Sequence, residues 1–430
     1  MSSNEWQREK LVNLCHKIGS GATPRGGKET YSDLGDFALI RSQNVLDFSF
    51  SYDGLAYINN EQAYQLRNVE VMSDDVLLNI TGDSVARVCQ VPQEVLPARV
   101  NQHVAILRPH ENKLRPTYLK YFLLNPEFKS YMLGLSACGG TRNALTKGMI
   151  EDFEILFPLI PMQDKITAIL SALDEKIENN RKINKTLEAM GQTLFKEWFV
   201  EFDFPGATGE MVESELGMIP KGWTIQSIGS LFDFVIGGDW GKDDAQDDYP
   251  VFCSVVRGTD LADVLLGNIS AVPQRYIKNA SVGKRRICAG DIVFEISGGS
   301  KEQATGRSLL FTDELIDLFG KQVIPASFCR LIRCENIGKA VFLGTFLNMF
   351  YSEGGAWEYQ LQSTGISNFQ FNHFSGSKLL AIPSDQLIEM FRELVWPIYQ
   401  AVGINAKQIQ SLTQLRNRLL PKLMSGEIEI

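Results

Sequence analysis

The sequence predicts an α/β chain: two similar α/β domains related by pseudo-twofold symmetry and separated by two long antiparallel coiled-coil helices. Three observations predict it. The two halves repeat one another in order, two stretches carry apolar residues at helical spacing, and 430 residues with 44% hydrophobic content suffice for two or three domains. The expected division is 1–160 for the first domain, 161–205 for a central helix, 206–382 for the second domain and 383–430 for a C-terminal helix.

The domains are defined by their mutual match. Asn68 to Asp83 (NVEVMSDDVLLNITGD) parallels Lys284 to Gly299 (KRRICAGDIVFEISGG), each a polar stretch, an acidic turn and a β-branched strand ending in a Gly-containing loop. Asp75 falls on Asp291, where an acidic turn before a strand is expected. VNQHVAILRPHENKLRPTYLKYFLLNPEFKSYM resembles IPASFCRLIRCENIGKAVFLGTFLNMFYS as strand, polar turn and amphipathic helix. Thr141 pairs with Thr364, and ILFPLIPMQDKITAIL (155–170) parallels KLLAIPSDQLIEMFREL (378–394), which puts Pro161 on Pro383. One such match is within chance. Several in the same order, at nearly constant displacement, point to duplication.

From about Gln163 to Phe199, apolar residues recur by threes and fours at Ile166, Leu170, Leu173, Ile177, Leu187, Leu194 and Trp198. Asn180 and Asn184 interrupt this seam, either as buried register-fixing residues or as a local fray. Ser384 to Met424 repeats the pattern through Leu387, Met390, Phe391, Leu394, Ile398, Ile409, Leu412, Leu415, Leu419 and Leu423. Pro397 predicts a kink or break there, since proline removes a hydrogen bond and clashes with the preceding turn. A helix of about 35 residues spans roughly 50 Å, longer than one turn of DNA at roughly 34 Å.

Composition excludes several classes. No run of 18 apolar residues occurs and the N-terminus is polar, so a cytoplasmic chain without membrane contact is expected. Seven scattered cysteines without a C-x-x-C pair suit free thiols. Four dispersed histidines, His16, His103, His110 and His373, do not suggest a metal site. There is no G-x-x-x-x-G-K-[ST] loop, no G-x-S-x-G elbow and no Asn-Pro-Pro-aromatic tetrapeptide, so neither ATP-driven motion nor base methylation is housed here. The net charge of −9 argues against nucleic acid coating the whole surface, while leaving room for local basic faces.

Ile169 to Pro205 (ILSALDEKIENNRKINKTLEAMGQTLFKEWFVEFDFP) resembles the central conserved helix of type I restriction-modification DNA specificity subunits. GSGATPRGG (19–27), LLNITGDSVARV (77–88), GGTRNALTKGMIEDFEILFPLIP (139–161) and ESELGMIPKGW (213–223) are similar to the family's recognition-domain landmarks. The second half departs in IGGDWGKDD (236–244), which lacks Thr-Pro, and in Pro397. The resemblance implies a non-catalytic DNA-binding scaffold. It implies two methyltransferase subunits and two restriction (motor-nuclease) subunits as partners, double-stranded DNA read as a bipartite asymmetric target, and no cofactor in this chain. S-adenosylmethionine, ATP and Mg would belong to the partners.

Base edges are read by Arg or Lys at guanine and by Asn or Gln at adenine. The landmark loops offer Thr23, Arg25, Arg41, Gln43, Asn44, Arg87, Asn101, Gln102, Arg142, Asn143 and Lys147. In the second half the matching places give Trp240, Lys242, Arg257, Lys301, Lys321, Gln322, Ser367 and Asn368. Lys284, Arg285 and Arg286 form a basic run suited to phosphate contact or to a solvated strand end. Two other readings stand beside this one: an assembly protein organised by its coiled coils, which the acidic net charge favours, and a metal-dependent nuclease resting on Asp291 and Glu295.

Overall fold

The computed structural model describes residues 6–137, 143–300, 303–363, 366–428 and 430. The chain folds into two compact units, Met1–Glu175 with Thr413–Ile430, and Lys176–Leu412, a division that cuts both long helices.

In the first unit, the strand Val76–Asn79 is buried along its whole length. Successive side chains of a strand point to opposite faces. Val76 and Leu78 accordingly enter one core with Leu107 and Tyr118, while Leu77 enters another with Leu39, Ala98 and Ile106. The strand lies third in a four-stranded sheet ordered Cys15–Ser20, Val104–Pro109, Val76–Asn79, Val88–Gln90. A second sheet runs Ala56–Ile58, Phe37–Ile40, Ala98–Val100, Glu70–Val71, its middle pair parallel. Gln7–Lys10 pairs with Glu154–Phe157 and ties the beginning of the unit to the entry of the central helix.

The second unit repeats this order. Its four-stranded sheet runs Phe234–Gly237, Cys329–Arg333, Ile292–Glu295, Ser308–Leu310. Its other sheet runs Gln274–Ile277, Val251–Val256, Val323–Pro325, again with a parallel pair. Thr224–Ser227 closes on Leu379–Ile382. Hydrogen-bond register fixes the equivalences. Val76 corresponds to Ile292, 216 residues on, and Val104 to Cys329, 225 residues on. The offset therefore grows through longer loops in the second unit, where the sequence match predicts a near-constant displacement.

The acidic turns carry more than a turn. Asp75 is completely buried, accepts Arg108 Nε at 2.7 Å and Nη2 at 2.8 Å, and receives the Met72 N–H at 2.8 Å. Asp291 accepts Arg333 Nε and Nη2, both at 2.7 Å, and the Cys288 N–H at 2.8 Å. Each aspartate thus locks the approach to one sheet strand onto its neighbour. The carboxylate in turn raises the pKa of each arginine, through the side-chain hydrogen bond above all.

The central helix is Ile160–Phe199 and the C-terminal helix Asp385–Ser425. In the first unit, Ile166 and Leu170 pack with Leu420, Leu423 and Met424. In the second, Phe195, Trp198 and Phe199 join Leu387, Ile388, Phe391 and Val395. The helical assignment of Ser384–Met424 survives Pro397: no break occurs. Pro397 and Glu393 are both exposed, so the carbonyl that proline deprives of a donor faces water. The expected seam shifts by one position in places. Met390, Leu394 and Leu415 are exposed, and Val395 and Arg416 are buried in their stead. Asn180 and Asn184 are buried and paired, not frayed: Asn180 donates to Gln408 Oε1 at 3.1 Å, and Asn184 accepts from Asn405 Nδ2 at 2.8 Å. Among the described residues, no helix is long and apolar enough to cross a membrane.

Candidate nucleic-acid interface

In the first unit, loops from both sheets meet at one end. Gly21 follows the strand Cys15–Ser20 so closely against Val100 that a Cβ would lie 1.9 Å from the Val100 carbonyl oxygen, a place only glycine can take. This approach sets Thr23 beside Gln102, to whose Oε1 its hydroxyl donates. Gln102 Nε2 meets His103 Nε2 at 3.1 Å, and His103 Nδ1 meets Thr81 Oγ1 at 2.6 Å. Thr81 bridges to Ala144, and the Gly82 N–H donates to the Asn143 carbonyl at 3.0 Å. Asn79 Nδ2 reaches the carbonyls of Ser42 at 2.8 Å and Val45 at 3.3 Å, drawing in the loop 41–55.

Thr23, Arg25, Gln43, Gln102 and Asn143 are exposed on this end, with Arg41 and Arg87 half-buried among them. Arg41 donates to the Gly54 carbonyl and its guanidinium lies 5.5 Å from the Tyr31 ring. Two of the predicted readers prove to be staples. Asn44 is completely buried, its Oδ1 accepting the Arg41 N–H at 3.0 Å and its Nδ2 donating to Ser51 O at 3.0 Å. Asn101 is 7% exposed and accepts the His103 N–H at 3.1 Å. Lys147 opens the short helix Lys147–Glu151, with its ammonium 3.4 Å from Glu151. Arg142 and Thr141 lie outside the described residues.

In the second unit the same end is differently furnished. Glu295 stands where the first unit has Asn79: its N–H donates to the Arg307 carbonyl, as that of Asn79 does to Arg87. Its fully buried carboxylate accepts two hydrogen bonds from one edge of the Arg307 guanidinium, from Nε at 2.9 Å and from Nη2. Asp291 and Glu295 flank opposite ends of one strand and each is committed to an arginine, which is not the geometry of a shared cation. Among the described residues, no three His, Cys, Asp or Glu side chains gather as metal ligands.

Trp240 carries the Arg275 guanidinium 4.6 Å from its ring. The neighbouring Asp239 is partly desolvated, which opposes ionisation, but hydrogen bonds from Ser281 and the Gly241 and Trp240 N–H groups outweigh this and hold its pKa down. Lys242 is exposed, 5.8 Å from the Tyr249 ring. Arg257 is spent on Asp260, Nη2 lying 2.7 Å from Oδ1, and also donates to the Ala271 carbonyl at 2.9 Å. Lys321 and Gln322 precede Val323–Pro325 and so lie at the opposite end of that strand, Lys321 being 4.3 Å from the Phe252 ring. Ser367 is buried, its carbonyl accepting from Thr305 at 3.3 Å, whereas Asn368 beside it is exposed. Lys284 and Arg286 are exposed at the end of the helix Asn279–Arg285; Arg285 donates to the Gly237 carbonyl at 2.7 Å. Lys301 and Thr364 fall outside the described residues.

Register identifies what the sequence comparison missed. Val100 pairs with Ile40 as Pro325 pairs with Val256, so the partners of Gln102 and His103 are Ser327 and Phe328. Phe328 is 58% exposed at the tip of its turn. Matching VNQHVA to PASFCR, one residue along from IPASFC, would have found them.

The fold is thus a mixed α/β arrangement with one strand order repeated in two units, loops gathered at matching sheet ends, and two long helices. Residues 3–189 match the family model "Type I restriction modification DNA specificity domain". The chain is similar to the specificity subunits of type I restriction-modification systems. It is 24% identical to the type I restriction enzyme MjaIX specificity subunit of Methanocaldococcus jannaschii, covering 99% of this chain and 94% of the relative. It is also 24% identical to the type I restriction enzyme HindI specificity subunit of Haemophilus influenzae, covering 99% and 100%. The fold is similar to that of the crystallised S subunit from M. genitalium, with a TM-score of 0.54 at 14% identity over 98% of this chain and 97% of that one.

Proposed function

We propose that the chain reads a bipartite, asymmetric double-stranded DNA target and directs methyltransferase and restriction subunits to it. The observation that carries this reading is the repetition of one strand order and one loop-bearing sheet end in two units whose exposed side chains differ. Two diverged copies can contact two different half-sites, while a repeated scaffold offers near-twofold symmetry to two copies of a partner. In this reading 1–160 and 206–382 are target-recognition domains, and the coiled-coil helices within 161–205 and 383–430 act as antiparallel spacers and partner-binding rods. At about 1.5 Å per residue, helices of 40 and 41 residues reach roughly 60 Å, more than the roughly 34 Å turn of DNA that would leave unread bases between half-sites. S-adenosylmethionine, ATP and Mg belong to the partner subunits, and the complex works in the cytoplasm.

Within the first domain, Arg25, Arg41, Gln43, Arg87 and Gln102 are the proposed readers; Lys284 and Arg286 in the second are proposed phosphate contacts that set position without reading sequence. Methylome sequencing of cells expressing the chain with its methyltransferase subunit tests the proposal. A split motif with unlike halves is expected. A single uninterrupted motif would overturn it.

A further inference from the structure

The loop that follows the strand Phe37–Ile40 carries Arg41 and Gln43, and it leans on the C-terminal helix. The Arg416 guanidinium carbon lies 3.4 Å from the centroid of the Phe48 ring, close enough for face-on stacking. Arg416 is only 8% exposed, although it sits on a helix. Its Nη1 donates to Asp174 Oδ1 at 2.8 Å, and the other Asp174 oxygen accepts the Tyr121 hydroxyl at 2.7 Å, with the Lys120 ammonium at 3.5 Å. The guanidinium plane is thereby fixed before the loop meets it.

Phe48 has φ of 67°, a left-handed conformation that a bulky aromatic rarely adopts, while its N–H donates to Val88 O at 3.1 Å. Such an outlier persists only when its surroundings over-determine it. The second unit makes a related contact by other means. After the equivalent strand Val251–Val256, Gly267 also has φ of 67°, and a Cβ there would lie 2.1 Å from the Ala406 carbonyl oxygen of the same long helix. A left-handed residue in each of these two loops therefore rests on the C-terminal helix.

We propose that Arg416 and Phe48 are positioning residues that set the placement of the loop 41–55 against the first half-site. The proposal rests on the DNA-reading function above. The loop moves as a body, because Asn44 ties the Arg41 N–H to Ser51. Tilting it at Phe48 displaces Arg41 and Gln43 together. The half-site read by the second unit, whose loop meets the helix through bare backbone, is independent of this stack.

The test uses the full chain with its methyltransferase subunit and duplexes altered at one base in either half-site. Phe48→Gly, which relieves the backbone and removes the ring, and Arg416→Met are expected to lower discrimination at least about tenfold in one half-site and leave the other unchanged. Phe48→Tyr, which keeps the ring, is expected to restore wild-type discrimination. In the DNA-free chain, hydrogen exchange at the Phe48 and Ser51 amides is expected to quicken in Arg416→Met, a readout that does not depend on assembly. Equal loss in both half-sites, or unchanged discrimination in a folded complex, overturns the positioning role alone. A wild-type motif without two halves overturns the functional reading and this proposal with it.

Discussion

Replacing Asp75 by alanine tests how the duplicated scaffold is held, because the second unit supplies an internal comparison. Asp75 is completely buried and loses three charge-assisted hydrogen bonds, two from Arg108 and one from the Met72 N–H. Removing one member of a buried pair costs about 3–5 kcal/mol, since the other charge is left uncompensated. The Arg108 side chain is 22% exposed and can recover some hydration, which places Asp75→Ala at about 3–4 kcal/mol. The Arg333 side chain is 38% exposed, so Asp291→Ala should cost less, about 2–3 kcal/mol. Asp75→Asn offers no escape, because whichever oxygen becomes an amide then faces a donor. The exposed Lys221–Glu210 pair is the control, and Glu210→Ala should stay within about 0.5 kcal/mol. Hydrogen exchange of the full chain, followed in peptides covering Met72 and Cys288, reads these losses locally. At about 1.4 kcal/mol per factor of ten, Asp75→Ala should speed exchange near Met72 by about 10²–10³. An acceleration below tenfold, or a larger effect from Asp291→Ala than from Asp75→Ala, would refute the reasoning.

Burial raises the pKa of Glu188 beside Tyr399, whose hydroxyl burial pushes up to about 12. The folded chain then holds the Glu188 proton more tightly than the unfolded one, so its contribution is most favourable below the ordinary carboxylate range and declines as pH rises through the folded pKa. Glu188→Gln should flatten the melting temperature between about pH 5 and about pH 8, and an unchanged pH profile would count against it. Asn184→Leu strands the Asn405 amide and should destabilise by about 1–3 kcal/mol in urea titration, while Asn184→Leu with Asn405→Leu should recover most of that loss. Arg87→Gln should relax discrimination at one base pair of the first half-site by about 1–3 kcal/mol in competition binding with altered duplexes, whereas Arg307→Gln, which unpairs buried Glu295, should lower stability and leave that discrimination unaltered.

The repeated sheets and the long helices were legible because their signals are local. The run VLLN and the run IVFE each begin a buried strand, and threes and fours mark the helices through Phe199 and Met424. The exact equivalences were not, since loops of unequal length shift the offset from 216 to 225 between Val76 and Val104. Nor could Arg416 be placed inside: a buried guanidinium depends on Asp174, 242 residues away in the chain. Pro397 does not break the helix, because the loss of one hydrogen bond is tolerated where the freed carbonyl meets water. Asn44, Asn101 and Ser367 share the chemistry of base readers, yet short polar side chains on loops also bond to backbone, and burial alone separates the two uses.

The comparison of Asn79 with Glu295 shows where duplication stops. The paired aspartates Asp75 and Asp291 meet their arginines in the same geometry, so that part of the scaffold is common to both units. At the loop-bearing end, a neutral amide in the first unit holds the loop through the carbonyls of Ser42 and Val45, and no hydrogen bond or ion pair engages the Arg87 side chain among the described residues. In the second unit a carboxylate at the same position binds Arg307 and removes that fork from any outside ligand. His103 likewise gives way to the exposed Phe328, trading a hydrogen-bonding ring for an apolar one. At these positions the first unit therefore offers Arg87 and a hydrogen-bonding ring where the second offers an ion pair and an exposed apolar ring. Under the proposed DNA-reading function, the second unit would lean on contact with apolar base features such as the thymine methyl, and on DNA shape, more than the first.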